Sequence, residues 1–459
     1  MKTVRRKITK IIGLLIFVAL CVWVAMRWNV WFGNPPEEPA QPFAGLSHVL
    51  LTFGDSDELS RNISWQCGTV IHPSSLQLAC GSDTVNIEAT GEVFASRCGR
   101  AAYYVARLRH LKPDTRYSYR AVTDGKASPW YCFQTHQPHR GQFSFLFVGD
   151  VQDTIGGEAN RLLREACAHH PQVEFLVCGG DLTERPTNQH WAETFRDIDS
   201  VAQSMPFLNV TGNHDYFKGV IRKLERRFPL VFSYFLDSKV GDNMVYTLNY
   251  GSAQIFVLDS NREFFHLWTQ RQWLEEQLEK SQAKWKILVL HHPLYSIKGN
   301  NNLIQRWMFD DLVRQYGVDL VLQGHEHAYA RWIGGTYKNG APAVPVYTIS
   351  HCSPKNYRIE FDERFNKFGI SCRYYQTVSV GGDTLTMATY DANTHALYDS
   401  LMVFINHHGA HLVEDLGKDI PENMDFTPDP TNKKDKKFAK RIQEYVTRHP
   451  ERIKTTTKN

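Results

Sequence analysis

Five apolar runs end in residues that bind metals or move protons. They supply Asp150 in VGDVQD, Asp181 in CGGDLTE, Asn213, His214 and Asp215 in VTGNHD, His291 and His292 in VLHHP, and His325 and His327 in QGHEH. The donors are carboxylate, carboxamide and imidazole, with no thiolate, a set that suits Fe, Zn or Mn. They exceed what one four-coordinate ion can use. Two ions about 3.5 to 4 Å apart, joined by a bridging carboxylate, can polarise a phosphate and generate hydroxide between them. Singly, each stretch has a structural reading: Gly-Asp as a turn, Asn-His-Asp as a helix cap, His-His-Pro as a packed loop. The histidines of GHEH, two apart in an extended segment, point to one side. All five in this order leave little room for coincidence.

The elements that must position these residues are strands and helices in alternation. FSFLFVGD, VEFLVCGGD, PFLNVTGNHD, KILVLHHP and VDLVLQGHEH read as buried strands. EANRLLREACAHH, WTQRQWLEEQLEKSQ and LIQRWMFDDLVRQYG repeat apolar residues every three or four positions. The pattern predicts a layered α/β domain over residues 142–405, with its functional groups beyond the carboxyl ends of the strands. WTQRQWLEEQLEKSQAKW is expected to be a packed helix and not an aromatic binding strip.

Upstream, residues 46–137 hold short alternating segments such as NISWQC and RYSYRAVT divided by turns, as in a β-sandwich. LRHLKPDTRYSYRAVTDG resembles fibronectin type III modules, with Tyr117 bonding back to the main chain and Trp65 as the core tryptophan. Residues 34–45, beginning NPPEEPAQP, read as an extended linker. Residues 1–33 place Lys2, Arg5, Arg6, Lys7 and Lys10 before IIGLLIFVALCVWVAM, a run that spans about 24 Å as a helix. No small-x-small cleavage site follows, so a retained signal anchor is expected, with the rest of the chain periplasmic or extracellular. Residues 406–459 read as a basic tail, either a surface helix or a partly disordered end.

A length of 459 residues with 42% apolar content is enough for several domains, and a net charge of +4 held partly in the two ends excludes a nucleic-acid binder. Of nine cysteines, Cys21 lies in the apolar run and Cys178 reads as a buried inert thiol. A disulfide between Cys352 and Cys372 would close the charged excursion between them. The sequons at Asn62 and Asn209 are set aside.

The series GD, GGD, GNHD, HHP, GHEH resembles the calcineurin-like metallophosphoesterase superfamily. GHEHAYAR behind a sandwich module resembles its purple-acid-phosphatase-like branch. The resemblance implies a four-layer α/β/β/α sandwich behind the fibronectin-like module, and a dinuclear centre of Fe, Zn or Mn ions. By motif, Asp181 would bridge the ions, Asp150 and His327 would serve the first, and Asn213, His291 and His325 the second. Proline spacing favours His291, two before Pro293, over His292. Purple enzymes have a tyrosine where this chain has Glu184, so their charge-transfer colour is not expected. Many relatives have histidine where this chain has Gln152, and the remaining ligand of the first ion is open between Gln152 and Glu184.

The implied reaction is phosphoester hydrolysis, a metal-activated hydroxide attacking phosphorus in line. His214 would assist the leaving group, Asp215 would orient it, and His292 would stand on the substrate side or behind the ligands. Lys298 and Asn300 are expected in a solvated loop. The alternatives are a phosphodiesterase or nucleotidase of the same fold, or an inactive adhesion or scaffold protein using the sandwich. Substrate, metal identity and oligomeric state are left open by the residues.

Overall fold

The computed structural model describes every residue except 1, 35, 38–41, 43, 97–98, 199, 235–239 and 454–459. From Ile8 onward the helix Lys2–Phe32 exposes most of its apolar side chains. Its stretch Ile8–Phe32, with a mean hydropathy of 2.5, is long and apolar enough to cross a membrane or to serve as a signal sequence. The expected linker falls partly outside the described residues. Its described start is pinned and not a free spacer: the Glu37 carboxylate pairs with the Arg227 guanidinium at 2.7 Å, both side chains 1% exposed. The Asn34 side chain both donates to and accepts from the Lys218 backbone.

In the sandwich, Leu46–Phe53, Arg61–Cys67, Thr90–Ser96 and Gly99–Leu108 form one antiparallel sheet. Ser74–Cys80, Asp83–Glu88, Arg116–Thr123 and Tyr131–Gln134 belong to the other. Alternate residues of Arg116–Thr123 are buried, the period-two signature of a strand with one face on a core. Trp65 sits fully buried in that core, its indole donating to Thr123 Oγ1 at 2.9 Å. The Lys112 amide donates to Tyr117 Oη at 2.9 Å, the corner that the sequence led one to expect. Thr52 pairs in parallel with Phe207, so the sandwich is continuous with the α/β part.

That part has two packed sheets. In the first, Gln142–Val148, Phe175–Cys178 and Phe207–Asn209 run parallel, and the antiparallel strands Tyr374–Gly381, Thr384–Asp391 and Leu397–Ile405 extend it. In the second, Ala253–Leu258, Trp285–Leu290, Leu320–Gln323 and Pro342–Ile349 run parallel. Strand alternation divides the second sheet's side chains. Ile255, Val257, Ile287 and Val289 join the core that holds Phe145 and Phe147 of the first sheet. Phe256, Leu258, Leu288 and Leu290 pack on Leu267, Leu274, Phe309 and Leu312 of the helices Phe264–Lys280 and Leu303–Gln315. The helix Ala159–His169 contributes Leu162 and Leu163 to the core of the first sheet, completing the α/β/β/α layers.

One alternative is decided and one expectation is corrected. Of the two readings of residues 406–459 the surface helix is the one found: after His411–Asp415, which pairs with Leu397–Ile405, the helix Lys433–Arg448 buries Phe438 and Tyr445 against the outer core. Lysines dominate its sequence, but its apolar residues recur at helical spacing and find a partner surface. Cys352 and Cys372 remain free thiols, because Cys352 packs into the main core while Cys372 lies against a separate tyrosine cluster and takes a hydrogen bond from Asn423.

Candidate metal centre

The parallel strands of both sheets finish along one edge, and each passes its polar residues over that edge one to six positions beyond its end. The turns are tight. Asp150, Asp181 and His325 adopt φ of 36°, 51° and 68°, a left-handed backbone that Asp, Asn and His tolerate better than other residues with a Cβ. A methyl group on Gly212 would come within 2.0 Å of Asp181 Oδ1, so only glycine lets the GNHD loop lie against that carboxylate.

Donor atoms of Asp150, Asp181 and His291 lie within 4.8 Å of one another, all buried. His291 Nδ1 donates to the Gly179 carbonyl at 2.9 Å, which turns Nε2 toward Asn213 Oδ1 at 3.1 Å and Asp181 Oδ2 at 3.4 Å. His325 Nδ1 approaches the same Asn213 oxygen at 2.8 Å. His327 Nδ1 faces the Lys355 carbonyl at 3.2 Å, leaving Nε2 beside the Gln152 amide at 3.1 Å.

This donor set fits a cation. Both carboxylate oxygens of Asp150 are buried without a hydrogen-bond partner, as is Gln152 Oε1. Stranding a buried carboxylate is expensive unless a positive charge compensates it. Burial pushes the Asp150 carboxyl well above its usual range. Burial acts in the same sense on Asp181, but His291 and His214 outweigh it and hold that carboxyl well below. Against the burial of its ring, His291 is raised to about 9 by Asp181 and Asp150. His327 is lowered to about 2, chiefly by burial and then by His351. The neutral imidazoles of His325 and His327, and the His291 ring whose proton a cation would displace, stand beside paired carboxylates as transition metals require.

The two halves of the cluster differ. Asn213, His291 and His325 converge closely with Asp181. On the other side Glu184 turns away, its carboxylate held by Lys355 Nζ at 2.6 Å and 2.7 Å. Gln152, 1% exposed, stays inward. Of the two residues left open, the geometry favours Gln152.

His214 donates from Nδ1 to the Glu184 carbonyl at 2.6 Å, and its Nε2 lies 3.9 Å from Asp181 Oδ2. It lines a cleft of about 390 Å³ with Tyr216, Phe217, Lys218 and Pro36. Asp215 does not touch His214. Its carboxylate accepts from the Gly212 amide at 2.7 Å, closing the loop on itself, so adjacency in sequence was misleading. His292, 7% exposed, is held by Ser260 Oγ at 3.0 Å and packs its ring on His325 at 4.3 Å. Its place is behind the His325 ring. Lys298 lies over the Tyr357 ring at 4.2 Å, and that ring stacks on His327 at 4.3 Å.

Sequence reasoning missed three groups. Asp259, Ser260 and Asn261 follow the strand Ala253–Leu258 and brace the site: Asp259 accepts from Thr211 Oγ1 at 2.8 Å, and Asn261 donates to the Thr211 carbonyl at 2.7 Å. IFVLDSN carries the same signal as the five stretches, an apolar run ending in polar residues. His351, after the strand Pro342–Ile349, is fully buried and stacks on His327 at 5.4 Å. Tyr357 had no such signal, because it lies in an irregular segment.

Comparison with known proteins agrees with this geometry. Residues 143–329 match the family described as calcineurin-like phosphoesterase, and residues 46–135 match the purple acid phosphatase N-terminal domain. The chain is 24% identical over 387 residues to a phosphoenolpyruvate phosphatase of Allium cepa, covering 76% of this chain and 77% of that one. It is 25% identical over 320 residues to Fe(3+)-Zn(2+) purple acid phosphatase 12 of Arabidopsis thaliana, covering 64% and 66%. The fold resembles that of purple acid phosphatase PPD1 from yellow lupin seeds, with a TM-score of 0.67 and 15% identity, covering 80% of this chain and 75% of that one.

Proposed function

We propose that this chain, a calcineurin-like phosphoesterase with a purple acid phosphatase N-terminal domain, is a membrane-anchored hydrolase of phosphate esters working outside the cytoplasm with two transition-metal ions. The observation that carries the reading is the convergence of Asp150, Asp181 and His291 in a buried cluster whose Asp150 oxygens have no other partner.

Asp181 would bridge the two ions, with Asp150, His327 and Gln152 on the first and Asn213, His291 and His325 on the second. A relative named for an Fe(3+)-Zn(2+) pair fits ions of this class, whereas Glu184 in place of the purple enzymes' tyrosine argues against Fe(3+) and for a divalent pair here. When bound, the ions supply Lewis-acid polarisation of phosphate and water acidic enough to attack phosphorus near neutral pH. The chain's own residues do the rest. The Gly179 carbonyl fixes the tautomer of His291, as partners of ligating histidines do. Ser260 and His292 hold the His325 ring in place. With Nδ1 committed to the Glu184 carbonyl, His214 presents Nε2 to the cleft, where it can pass a proton to the departing alkoxide. The cationic block before the apolar helix argues for an anchor whose far end leaves the cytoplasm.

The test is hydrolysis of p-nitrophenyl phosphate and its bis ester by the full-length protein, with metal analysis of the protein as isolated. Turnover that vanishes in Asp181→Asn and in His325→Ala supports the reading. Absence of turnover with Fe, Zn and Mn alike refutes it in favour of an inactive scaffold.

A further inference from the structure

The hydrolase reading leaves the substrate open, and the surroundings of the cleft narrow it. The anchor does not leave the molecule on a remote side. Directly after the apolar helix, Asn34 is hydrogen-bonded to the Lys218 backbone, and Asn34 and Pro36 line the same cleft as His214. The buried Glu37–Arg227 pair fastens the strut, and the Asn188 amide also donates to Glu37 at 3.0 Å. The mouth of the site is thus tied to the point where the chain would emerge from a bilayer.

From that point an apolar arc continues around the edge. Val220 and Ile221 follow Lys218 and are 71% and 65% exposed. The neighbouring Arg222 amide donates to Glu263 at 2.7 Å, which joins this loop to the start of the helix Phe264–Lys280. There Phe265 is 80% exposed and Trp268 43%, while Phe264 stacks on Trp307 at 5.8 Å. Trp307 is 63% exposed and Ile304 50%, in the first turns of the helix Leu303–Gln315. Gln305 of that turn donates to the Ser260 carbonyl at 3.1 Å, and Ser260 holds His292. The arc is therefore tied at one end to the anchor and at the other, through Gln305 and Ser260, to the residues behind the metal cluster. Exposed aromatic and aliphatic side chains gathered on neighbouring elements mark an interaction surface, and aromatic residues beside a membrane span suit the bilayer interface.

The geometry points to a catalytic face that lies against the membrane, with the arc dipped into the lipid interface and the site taking its phosphate ester from a lipid headgroup. Water adds to phosphorus, the bond from phosphorus to the ester oxygen breaks, and the leaving oxygen takes a proton, giving an alcohol and a phosphate. The inference rests on the membrane-anchored hydrolase reading above.

The test uses the full chain in nanodiscs. Phosphatidic acid and phosphatidylglycerol are the lipid probes, and p-nitrophenyl phosphate and its bis ester are the soluble ones. At least one lipid is expected to be turned over. Its kcat/KM should fall about 10-fold or more when Phe265, Trp268 and Trp307 are together replaced by Ser, with soluble turnover unchanged. A second arm measures fluorescence quenching by lipids brominated on the acyl chains, comparing wild type with W268F/W307F. The emission lost in that variant should be the quenched component. Soluble esters hydrolysed while both lipids are untouched, equal lipid turnover in wild type and the Ser variant, or unquenched Trp268 and Trp307 would each overturn the inference. If no ester of any kind is turned over, the hydrolase reading fails instead, and quenching still decides whether this face meets the membrane. If the Ser variant fails to fold, W268F/W307F decides in its place.

Discussion

The sandwich and the catalytic edge both bury polar side chains, but they settle them differently. In the sandwich, Trp65 finds Thr123, Tyr117 receives the Lys112 amide, and Tyr119 donates to the Gln203 carbonyl at 2.7 Å. Among the described residues the sandwich also leaves buried nitrogens without a hydrogen bond, Arg61 Nε and Nη2 and Gln66 Nε2 among them, but no carboxylate. At the edge both Asp150 oxygens lack a hydrogen bond, with only His291 Nδ1 at 3.8 Å, and two imidazoles converge on one Asn213 oxygen. Paired groups stabilise a fold modestly, whereas an uncompensated carboxylate opposes it. The edge is therefore kept for a ligand and the sandwich for stability. Substitutions should separate along that line, the edge altering turnover and metal content and the sandwich altering the unfolding midpoint.

The largest effect is expected at Asp181, the carboxylate proposed to serve both ions. Asp181→Asn should lower kcat by about a thousand-fold or more and reduce bound metal, read by elemental analysis beside steady-state kinetics. Next, Trp65→Ala should cost about 3 to 5 kcal/mol of stability, read by denaturant unfolding, because it empties the centre of a closely packed core. If the two regions are as distinct as they look, the folded fraction of this variant retains its kcat. A large fall in kcat would show instead that the sandwich shapes the site through the Thr52–Phe207 pairing.

Smaller effects test the two halves of the edge against each other. Gln152→Ala should cost about 10- to 100-fold in metal affinity or turnover, the range for a group that completes or orients a ligand set. Glu184→Ala should change either quantity little, since Glu184 is taken up by Lys355. The reverse order would mean that Glu184 swings inward when metal binds.

Much of this was legible in the sequence, for a physical reason. A parallel strand buried on both faces must be apolar throughout, so polar residues at its end stand out, and a topology that lines up those ends gathers them. Asp150, Asp181, Asn213, His291, His325 and His327 were found by that signal. Asp259 and His351 carried it too and were passed over, because each lacked a recognisable neighbour in the motif series. Asp215 was misjudged because sequence adjacency says nothing about side-chain direction across a turn. The helix Lys433–Arg448 was one of two readings of its segment, left undecided because its lysines outweigh three well-placed apolar residues in composition, though not in packing. Tyr357 and the Glu37–Arg227 pair were illegible, since both depend on irregular segments meeting distant ones.

The smallest expected effect lies at the junction between the two regions. His136, 3% exposed at the end of the sandwich, pairs with Glu174 at 2.8 Å, and Tyr250 donates to the same carboxylate at 2.7 Å. Burial lowers the affinity of His136 for its proton, but the bond to Glu174 and the charges of Glu174 and Glu58 outweigh it, so its pKa is raised. A raised folded-state pKa means that the folded protein holds this proton more tightly than the unfolded chain does. The stabilisation is fully present below the ordinary histidine pKa and fades as the pH rises through the raised one. Stability measured by denaturant unfolding should therefore decline from mildly acidic to alkaline pH by an increment that His136→Gln removes. Should the slope survive in that variant, the pH dependence belongs to the catalytic edge, and the junction is held by Tyr250 and the parallel pairing of Thr52 with Phe207 instead.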